Sequence, residues 1–249
     1  MTRVDTPPPS TIELVPFTEA HLEGALALSQ AVSWPHRIED WLLNLSVSQG
    51  VAAIENGRVV GTALCSFHGP VATLNMIIVD EAMRGRGLGR QVMEAAIALA
   101  GDREMRLVAT PEGLPLYRKL GFEPCGRIVQ LRGTARAASP EQPVSADPVD
   151  PDQLAEMDRD ASGMERLALL TRIAETGETL TTEGGFALLR RFGRGYVLGP
   201  VVARNAAAAR SLIAEAATRM NGQLLRIDVP EEHGLAPFIE GLGLPVVGG

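Results

Sequence analysis

The hydrophobic and polar positions in the first third of the chain predict two helices followed by a β-hairpin. Apolar residues recur at helical spacing around Leu22 and again around Trp41. The apolar runs 51–54 and 59–67 flank Asn56-Gly57, a dipeptide typical of type I′ turns. The pattern therefore changes from helical to strand spacing at this hairpin.

A second group of elements follows the hairpin. The apolar run 72–79 predicts a strand, and an apolar stripe along residues 88–100 predicts a helix. A strand at 105–110, a short helix at 114–120 and a last strand at 126–132 complete the series. Helices and strands that alternate in this way indicate a layered, mixed α/β fold.

A change of composition divides the chain into two domains. Residues 134–152 are rich in proline, alanine, serine and acidic residues and show no apolar period, which predicts an exposed linker. The expected domains are 11–133 and 153–249, preceded by an extended proline-rich tail at 1–10.

The second half of the chain reads as a weakened copy of the first. Residues 204–210, Arg-Asn-Ala-Ala-Ala-Ala-Arg, match 84–90, Arg-Gly-Arg-Gly-Leu-Gly-Arg. Two further pairs of segments continue the match: 106–111 with 225–230, and 117–122 with 239–244. The copy has alanines in place of bare glycines and Ile239 in place of Tyr117, so a functional site is expected in the first domain alone.

Composition and charge narrow the classes of partner. Apolar residues make up 45% of the 249 residues, which indicates a globular protein with a substantial core. The formal net charge of −7 argues against nucleic-acid binding, which needs a dense basic surface. No apolar run approaches the roughly 20 residues of a membrane span, and no secretory signal pattern is present. We expect a cytoplasmic monomer or homodimer without nucleic-acid or membrane partners.

The two cysteines carry no chemistry in this sequence. Cys65 and Cys125 lie far apart in apolar segments, without the spacing of metal ligands or of a disulfide framework. Both are expected to be buried free thiols, and no metal site is predicted.

The most specific signal lies between the predicted strand 72–79 and the predicted helix 88–100. Residues 84–89 read Arg-Gly-Arg-Gly-Leu-Gly, and glycines let a backbone approach a phosphate closely. A helix that begins there directs unpaired N–H groups and its positive dipole end at one point, and the arginines add charge suited to a diphosphate. Neither the dinucleotide Gly-x-Gly-x-x-Gly spacing nor a P-loop Gly-Lys-Ser/Thr is present. The stretch predicts an anion site.

The pattern resembles the GNAT superfamily of acyl-CoA N-acyltransferases. Arg84, Gly87 and Gly89 match the Arg-x-x-Gly-x-Gly signature of that family, and residues 117–122 match its later Tyr-x-x-x-Gly-Phe element. The second half resembles a degenerate GNAT domain. The resemblance implies an α/β protein of two tandem GNAT-like domains, each with a central, mostly antiparallel sheet flanked by helices.

The resemblance further implies that acetyl-CoA is the cosubstrate of the first domain. Backbone N–H groups of the glycine-rich loop would hold the pyrophosphate of CoA, and the exposed edge of the preceding strand would pair with its pantetheine arm. The expected cofactor-binding residues are Ile77, Ile78, Val79, Arg84, Gly85, Arg86, Gly87, Leu88, Gly89 and Arg90.

The activity that the resemblance implies is N-acetyl transfer to a primary amine of a small molecule by direct attack. Tyr117 is the expected general acid, which protonates the departing sulfur. The general base stays open: His68, His36, Glu112 and a chain of water molecules are alternatives. Asn75, which stands where many relatives have a carboxylate, is expected to line the acceptor pocket together with Trp34 and His36.

Three alternatives to this activity remain open at the level of sequence. Asn75 and Thr110 depart from the family pattern, which would suit a non-catalytic acyl-CoA sensor. An acetyltransferase that acts on a protein amine has the same signature. A different phosphorylated ligand in the same loop is the third.

Overall fold

A computed structural model describes residues 11–249, so the tail predicted for residues 1–10 lies outside the described part of the chain. The first of its two sheets has five strands, with β1–β4 antiparallel and β5 parallel to β4. In spatial order they are β1 (Ile12–Pro16), β2 (Ser48–Glu55), β3 (Arg58–His68), β4 (Val71–Val79) and β5 (Glu104–Arg106). The helices associated with this sheet are α1 (Leu22–Ala31), α2 (Ile38–Leu45), α3 (Leu88–Ala100) and α4 (Leu114–Lys119).

The second sheet has six strands in the order β11-β6-β10-β9-β8-β7. In chain order they are β6 (Ile128–Thr134), β7 (Glu178–Thr182), β8 (Gly185–Phe192), β9 (Gly195–Ala203), β10 (Leu224–Pro230) and β11 (Val246–Gly248). Its helices are α5 (Pro151–Ser162), α6 (Leu167–Thr176), α7 (Ala206–Arg219) and α8 (Ala236–Gly241). The two tandem mixed α/β units expected from the repeat are confirmed.

Local sequence signals account for the first domain well. Asn56 and Gly57 have φ values of 52° and 74°, as a type I′ turn requires, and they join β2 to β3. The predicted helix at 88–100 is α3. The strand predicted at 105–110 is shorter: β5 ends at Arg106, because it pairs with β4 over three residues and then leaves the sheet.

The predicted last strand of the first domain belongs to the second sheet instead. β6 pairs antiparallel with β10 along its seven residues, and β11 lies on its other side. Val129 and Leu131 of β6 are buried in the core of the second domain. Alternating apolar residues identify a strand but not its neighbour, which is why the pattern at 126–132 suggested the wrong sheet. The boundary expected at residue 133 therefore does not separate the two sheets.

The segment at 134–152, predicted to be an exposed linker, packs on the second domain and is hydrogen-bonded to it. Ala135 is buried in that core. The Ala138 N–H donates to Thr218 Oγ1 at 3.0 Å, and the Gln142 N–H donates to Ser211 Oγ at 2.9 Å. Backbone-to-side-chain hydrogen bonds of this kind need no apolar period, so composition alone gave no sign of them.

The two cysteines differ in their surroundings. Cys65 lies on β3 and is fully buried, as predicted. Cys125 is exposed, contrary to the prediction, because it lies in an irregular segment between α4 and β6 and not in a core strand.

A buried carboxylate joins the two domains. Asp40 on α2 is 1% exposed, and its Oδ1 accepts hydrogen bonds from Arg37 and from Arg190 of β8, each at 3.1 Å. Its Oδ2 accepts the Gly193 N–H at 3.0 Å. Burial alone would raise the pKa of Asp40, but the hydrogen bonds from Arg37 and Gly193 hold that pKa below its ordinary value. The carboxylate is therefore charged at neutral pH and links α2 to β8.

We expect Asp40→Asn to lower the free energy of unfolding by about 3 to 5 kcal/mol, because Arg190 would stay buried without its counter-charge. Chemical denaturation at pH 7 measures this, with Glu39→Gln, an exposed neighbour, as the control. Folding lowers the pKa of Asp40. Its carboxylate therefore contributes fully to the free energy of unfolding above a pH of about 3.9, the pKa in the unfolded chain, and this contribution is lost as the pH falls through the lower pKa of the folded protein. A variant as stable as the wild type would contradict the role given to Asp40.

Candidate active site

A cleft of about 350 Å³ lies where the end of β4 meets the start of α3. Its lining residues are Val79, Met83, Arg84, Gly85, Gly87, Leu88, Gly89, Arg90 and Leu116. Leu116 precedes Tyr117 on α4, so the fold brings the glycine-rich loop and the helix of the predicted general acid to one place. The start of α3 lies directly against α4, since a Cβ at Gly89 would make ordinary van der Waals contact with Leu116 Cδ2 at 3.4 Å.

The loop at the start of α3 presents backbone donors. Gly85 and Gly87 have φ values of 78° and 76°, which favour glycine, and a Cβ at either would meet no atom within 4 Å. Within residues 11–249, the N–H groups of Gly85, Gly87, Leu88 and Gly89 have no hydrogen-bond acceptor. The dipole of the 13-residue α3 adds positive potential at the same point. This arrangement fits a phosphate or diphosphate.

The arginines of the loop are engaged with carboxylates. Arg86 donates to Glu55 of β2 at 2.9 Å, and this ties the loop to the sheet. Arg84 pairs with Glu81 at 3.1 Å, and Arg90 pairs with Glu94 at 2.6 Å. Their charge is thus partly balanced, and the backbone N–H groups are the principal donors of the site.

A β-bulge changes the direction of β4 before it reaches the loop. Met76 has a φ of 50°, and the register between β3 and β4 shifts beside it. The Met76 carbonyl accepts a hydrogen bond from the fully buried Thr62 hydroxyl at 2.7 Å. Sequence reasoning missed the bulge, because methionine is not a residue that favours positive φ.

The bulge lies beside an open strand edge. β5 pairs only with residues 71–73 of β4, so the later part of β4 has no neighbour on that side within the described chain. Ile77, Ile78 and Val79, predicted as cofactor-binding residues, lie on this part of the strand, and Val79 lines the cleft. Backbone groups on an open edge can pair with an extended ligand.

Tyr117 combines burial with an unengaged hydroxyl. Its side chain is 7% exposed and packs edge-on against Phe122, with ring centroids 6.4 Å apart. A Cβ at Gly113 would lie 2.8 Å from the ring, so glycine leaves room for it there. Among residues 11–249 the hydroxyl has no hydrogen-bond partner, and burial raises the pKa of Tyr117. The phenol therefore keeps its proton at neutral pH and can donate it.

The residues predicted to line the acceptor pocket fall into two groups. Trp34 and His36 are neighbours, with ring centroids 5.5 Å apart, and His36 packs edge-on at 5.3 Å against Phe192 of the second domain. Asn75 belongs to a separate group on β3 and β4, where its Nδ2 donates to Ser66 Oγ at 2.7 Å.

Two buried side-chain atoms in the described part of the chain lack a hydrogen-bond partner, His36 Nδ1 and Asn75 Oδ1. An unpaired buried polar atom costs about 1 to 3 kcal/mol, and native structures keep few of them. Burial lowers the pKa of His36 to about 4, so its ring is neutral at pH 7. Both atoms belong to residues that the sequence assigned to the acceptor pocket.

At the position that corresponds to the glycine-rich loop, the second domain has a capping side chain. Asn205 caps α7, and its Oδ1 accepts the Ala208 N–H at 2.9 Å. On α8, Ile239 takes the place of Tyr117 and is fully buried. One N–H group at the start of α7 is thus capped within the protein, and the side chain at the position of Tyr117 has no proton to donate.

Neither a cluster of metal ligands nor a membrane-spanning helix occurs in residues 11–249. These residues contain no group of three histidine, cysteine, aspartate or glutamate side chains placed to hold a metal ion. No helix among them is both long and apolar enough to cross a membrane.

Comparisons with known proteins agree with this architecture. Two family models, each described as an acetyltransferase (GNAT) domain, match residues 47–124 and 154–248. YitH of Bacillus subtilis, an uncharacterized N-acetyltransferase, is 29% identical over 238 residues, which cover 89% of this chain and 83% of YitH.

Solved structures show the same fold over the whole chain. A presumed acetyltransferase from Pyrococcus horikoshii superposes with a TM-score of 0.84 at 21% identity, over 99% of this chain and 90% of that one. A GCN5-related N-acetyltransferase from Sphaerobacter thermophilus gives a TM-score of 0.67 at 14% identity, over 95% and 93% of the two chains. The chain therefore belongs to the GNAT superfamily of N-acetyltransferases and contains two GNAT domains in tandem.

Proposed function

We propose that the first domain transfers the acetyl group of acetyl-CoA to a primary amine of a small molecule. The observation that carries this proposal is the convergence of three features on one cleft: unpaired N–H groups at the start of α3, the open edge of β4 and the helix of Tyr117. In the second domain, Asn205 Oδ1 accepts one N–H group at the start of α7, and the buried Ile239 takes the place of Tyr117.

The residues of the cleft suit the parts of acetyl-CoA. The N–H groups of Gly85, Gly87, Leu88 and Gly89 would hold the diphosphate, and the edge of β4 at residues 77–79 would pair with the amides of the pantetheine arm. When bound, acetyl-CoA supplies an acetyl group activated as a thioester. The bulge at Met76 sets the direction of the β4 edge that leads to the loop.

Tyr117 is the proton donor in this proposal. Attack by a neutral amine forms the new C–N bond and breaks the C–S bond, so the departing sulfur needs a proton. Burial keeps the Tyr117 phenol protonated, and its hydroxyl has no competing partner among the described residues.

Contacts between the domains favour a small acceptor. Gly193 of the β8–β9 turn packs so closely on the 34–36 loop that a Cβ there would lie 2.7 Å from the Pro35 carbonyl oxygen. At the other end of the first sheet, the Glu165 N–H donates to the His68 carbonyl at 3.2 Å. A face covered at both ends suits a small molecule better than a protein segment.

We expect Tyr117→Phe to lower kcat by about 10²-fold or more, because the leaving sulfur would lose its proton donor. Release of free CoA thiol across a panel of amines measures the rate. The matched control is Tyr196→Phe, which changes the only other tyrosine of the chain and should keep the wild-type rate. Tight binding of acetyl-CoA without turnover on any amine would instead identify a sensor.

Gly87→Val is expected to weaken acetyl-CoA binding by about 10- to 100-fold, because a side chain would displace the diphosphate from charge-assisted hydrogen bonds. Isothermal calorimetry measures the affinity. Gly222→Val is the control, since Gly222 has a similar φ of 78° and equally open surroundings, but lies in the second domain. Equal losses of affinity in both variants would refute the assignment of the loop.

The same calorimetric titration should give one acetyl-CoA per chain. Asn205 Oδ1 already accepts the Ala208 N–H at the start of α7, and alanine methyl groups stand where the first domain has glycines, so the second domain is less suited to hold a diphosphate. A stoichiometry of two equivalent sites would contradict the division of roles between the domains.

A further inference from the structure

Five polar side chains form a row across β2, β3 and β4: Ser48, Ser66, His68, Thr73 and Asn75. Ser48 Oγ and Ser66 Oγ lie 2.6 Å apart, and Ser66 Oγ also accepts a hydrogen bond from Asn75 Nδ2 at 2.7 Å. His68 Nε2 lies 3.3 Å from Thr73 Oγ1. Ser66 and Thr73 are opposite each other in the β3–β4 ladder, so the two hydrogen-bonded groups are contiguous. Side chains alternate between faces along a strand, and Leu64 packs with α1 and α2, so the row shares the face that these helices cover.

The amide of Asn75 has a defined orientation. Its Nδ2 donates to the Thr73 carbonyl at 3.3 Å as well as to Ser66 Oγ. A carbonyl can only accept, so the nitrogen must lie on that side, and Oδ1 must lie on the other. Asn75 Oδ1 is one of the two unpaired buried atoms and is therefore available to accept a hydrogen bond from an N–H group.

His68 lies at the other end of the row, against the second domain. Its side chain is 4% exposed, and the Glu165 N–H donates to its carbonyl. The charged groups that surround it are Asp158 and Arg166, which form an ion pair, together with Glu165 and Arg103 near the adjoining Gly69. Burial, reinforced by Arg166 and opposed by Asp158, lowers the pKa of His68. The ring is neutral at pH 7 and can accept a proton.

The other two side chains that the sequence offered as general bases, Glu112 and His36, are less suited to take the proton of the amine. Glu112 is exposed on the loop before α4. His36 packs among the rings of Trp34, Trp41 and Phe192 and lies outside the row.

We propose that Asn75 Oδ1 orients the attacking amine and that Thr73 and His68 remove its proton. This inference rests on the proposed acetyl transfer. The nitrogen of an ammonium group gives a proton to Thr73 Oγ1 while the Thr73 hydroxyl proton passes to His68 Nε2, so the amine becomes neutral and His68 becomes an imidazolium near Asp158. The transfer requires the His68 tautomer with its proton on Nδ1. Residues 73 and 75 are neighbours on one face of β4, with Cα atoms about 6.6 Å apart, so both side chains lie on the side of the sheet where the amine would bind.

The test compares variants in a steady-state assay with acetyl-CoA and an amine that the wild type accepts. His68→Gln and Thr73→Val should each lower kcat by about 10²- to 10⁴-fold at pH 7. In the wild type, kcat should rise with pH through a pKa below the ordinary histidine value of about 6.5, and this limb should be absent in His68→Gln. Thr73→Ser restores a hydroxyl and should recover most of the rate that Thr73→Val loses. Asn75→Ala should raise KM for the amine and leave KM for acetyl-CoA unchanged.

The control is His233→Gln, which makes the same change at an exposed histidine of the second domain and should leave rate and pH profile unaltered. Calorimetric affinity for acetyl-CoA shows whether each variant keeps its fold. A His68→Gln enzyme with the wild-type rate, or with a lower rate but the same limb in its pH profile, would overturn this inference and leave the proposed function standing. Absence of turnover by the wild type on every amine would overturn both.

Discussion

One hydrogen bond, from the buried Thr62 hydroxyl to the Met76 carbonyl, supports the change of direction in β4 on which the candidate site depends. An extra residue in β4 leaves a carbonyl outside the ladder, and a buried carbonyl needs a donor. With Thr62 in place, Met76 and Ile78 pack with α1 and α2, whereas Ile77 and Val79 pack toward α3. Because β5 has already left the sheet, the end of β4 presents an open edge that leads to the glycine-rich loop.

The parts of this site that sequence could predict are those in which a residue type has one strong local reason. Asn56-Gly57 predicted its turn, and Gly85 and Gly87 predicted the loop, because positive φ is costly for most other residues. The bulge at Met76 could not be predicted, since methionine gives no signal for positive φ and the hydroxyl that bonds its carbonyl lies on the neighbouring strand. The position of β6 could not be predicted either, because its sequence pattern identifies a strand but does not indicate which of the two sheets it joins.

The tandem domains differ in how the first turn of one long helix is capped. α3 and α7 are both long helices that follow a strand, and the N–H groups in the first turn of each need hydrogen-bond partners. In α7 the side chain of Asn205 supplies an acceptor, and alanines favour the helix. In α3 Gly87 has no side chain that could accept such a bond, which leaves the N–H groups of Gly87, Leu88 and Gly89 open to the diphosphate of the proposed cosubstrate. Asn205 thus stabilises α7, and the absence of such a cap leaves α3 with the free donors on which the proposed function rests.

The position of the second domain determines part of the surroundings of the first. β6 leaves the first domain to join the second sheet, and Asp40 connects α2 to β8, so the two domains are held in a fixed relation. That relation places Phe192 against His36 and the Asp158–Arg166 pair near His68. The polar row on β3 and β4 is therefore covered by charges that its own domain does not contain. A change at Asp158 on α5 would therefore alter the proton affinity of His68 without touching the cleft, so the proposed removal of the amine proton and the proposed binding of acetyl-CoA depend on different parts of the protein.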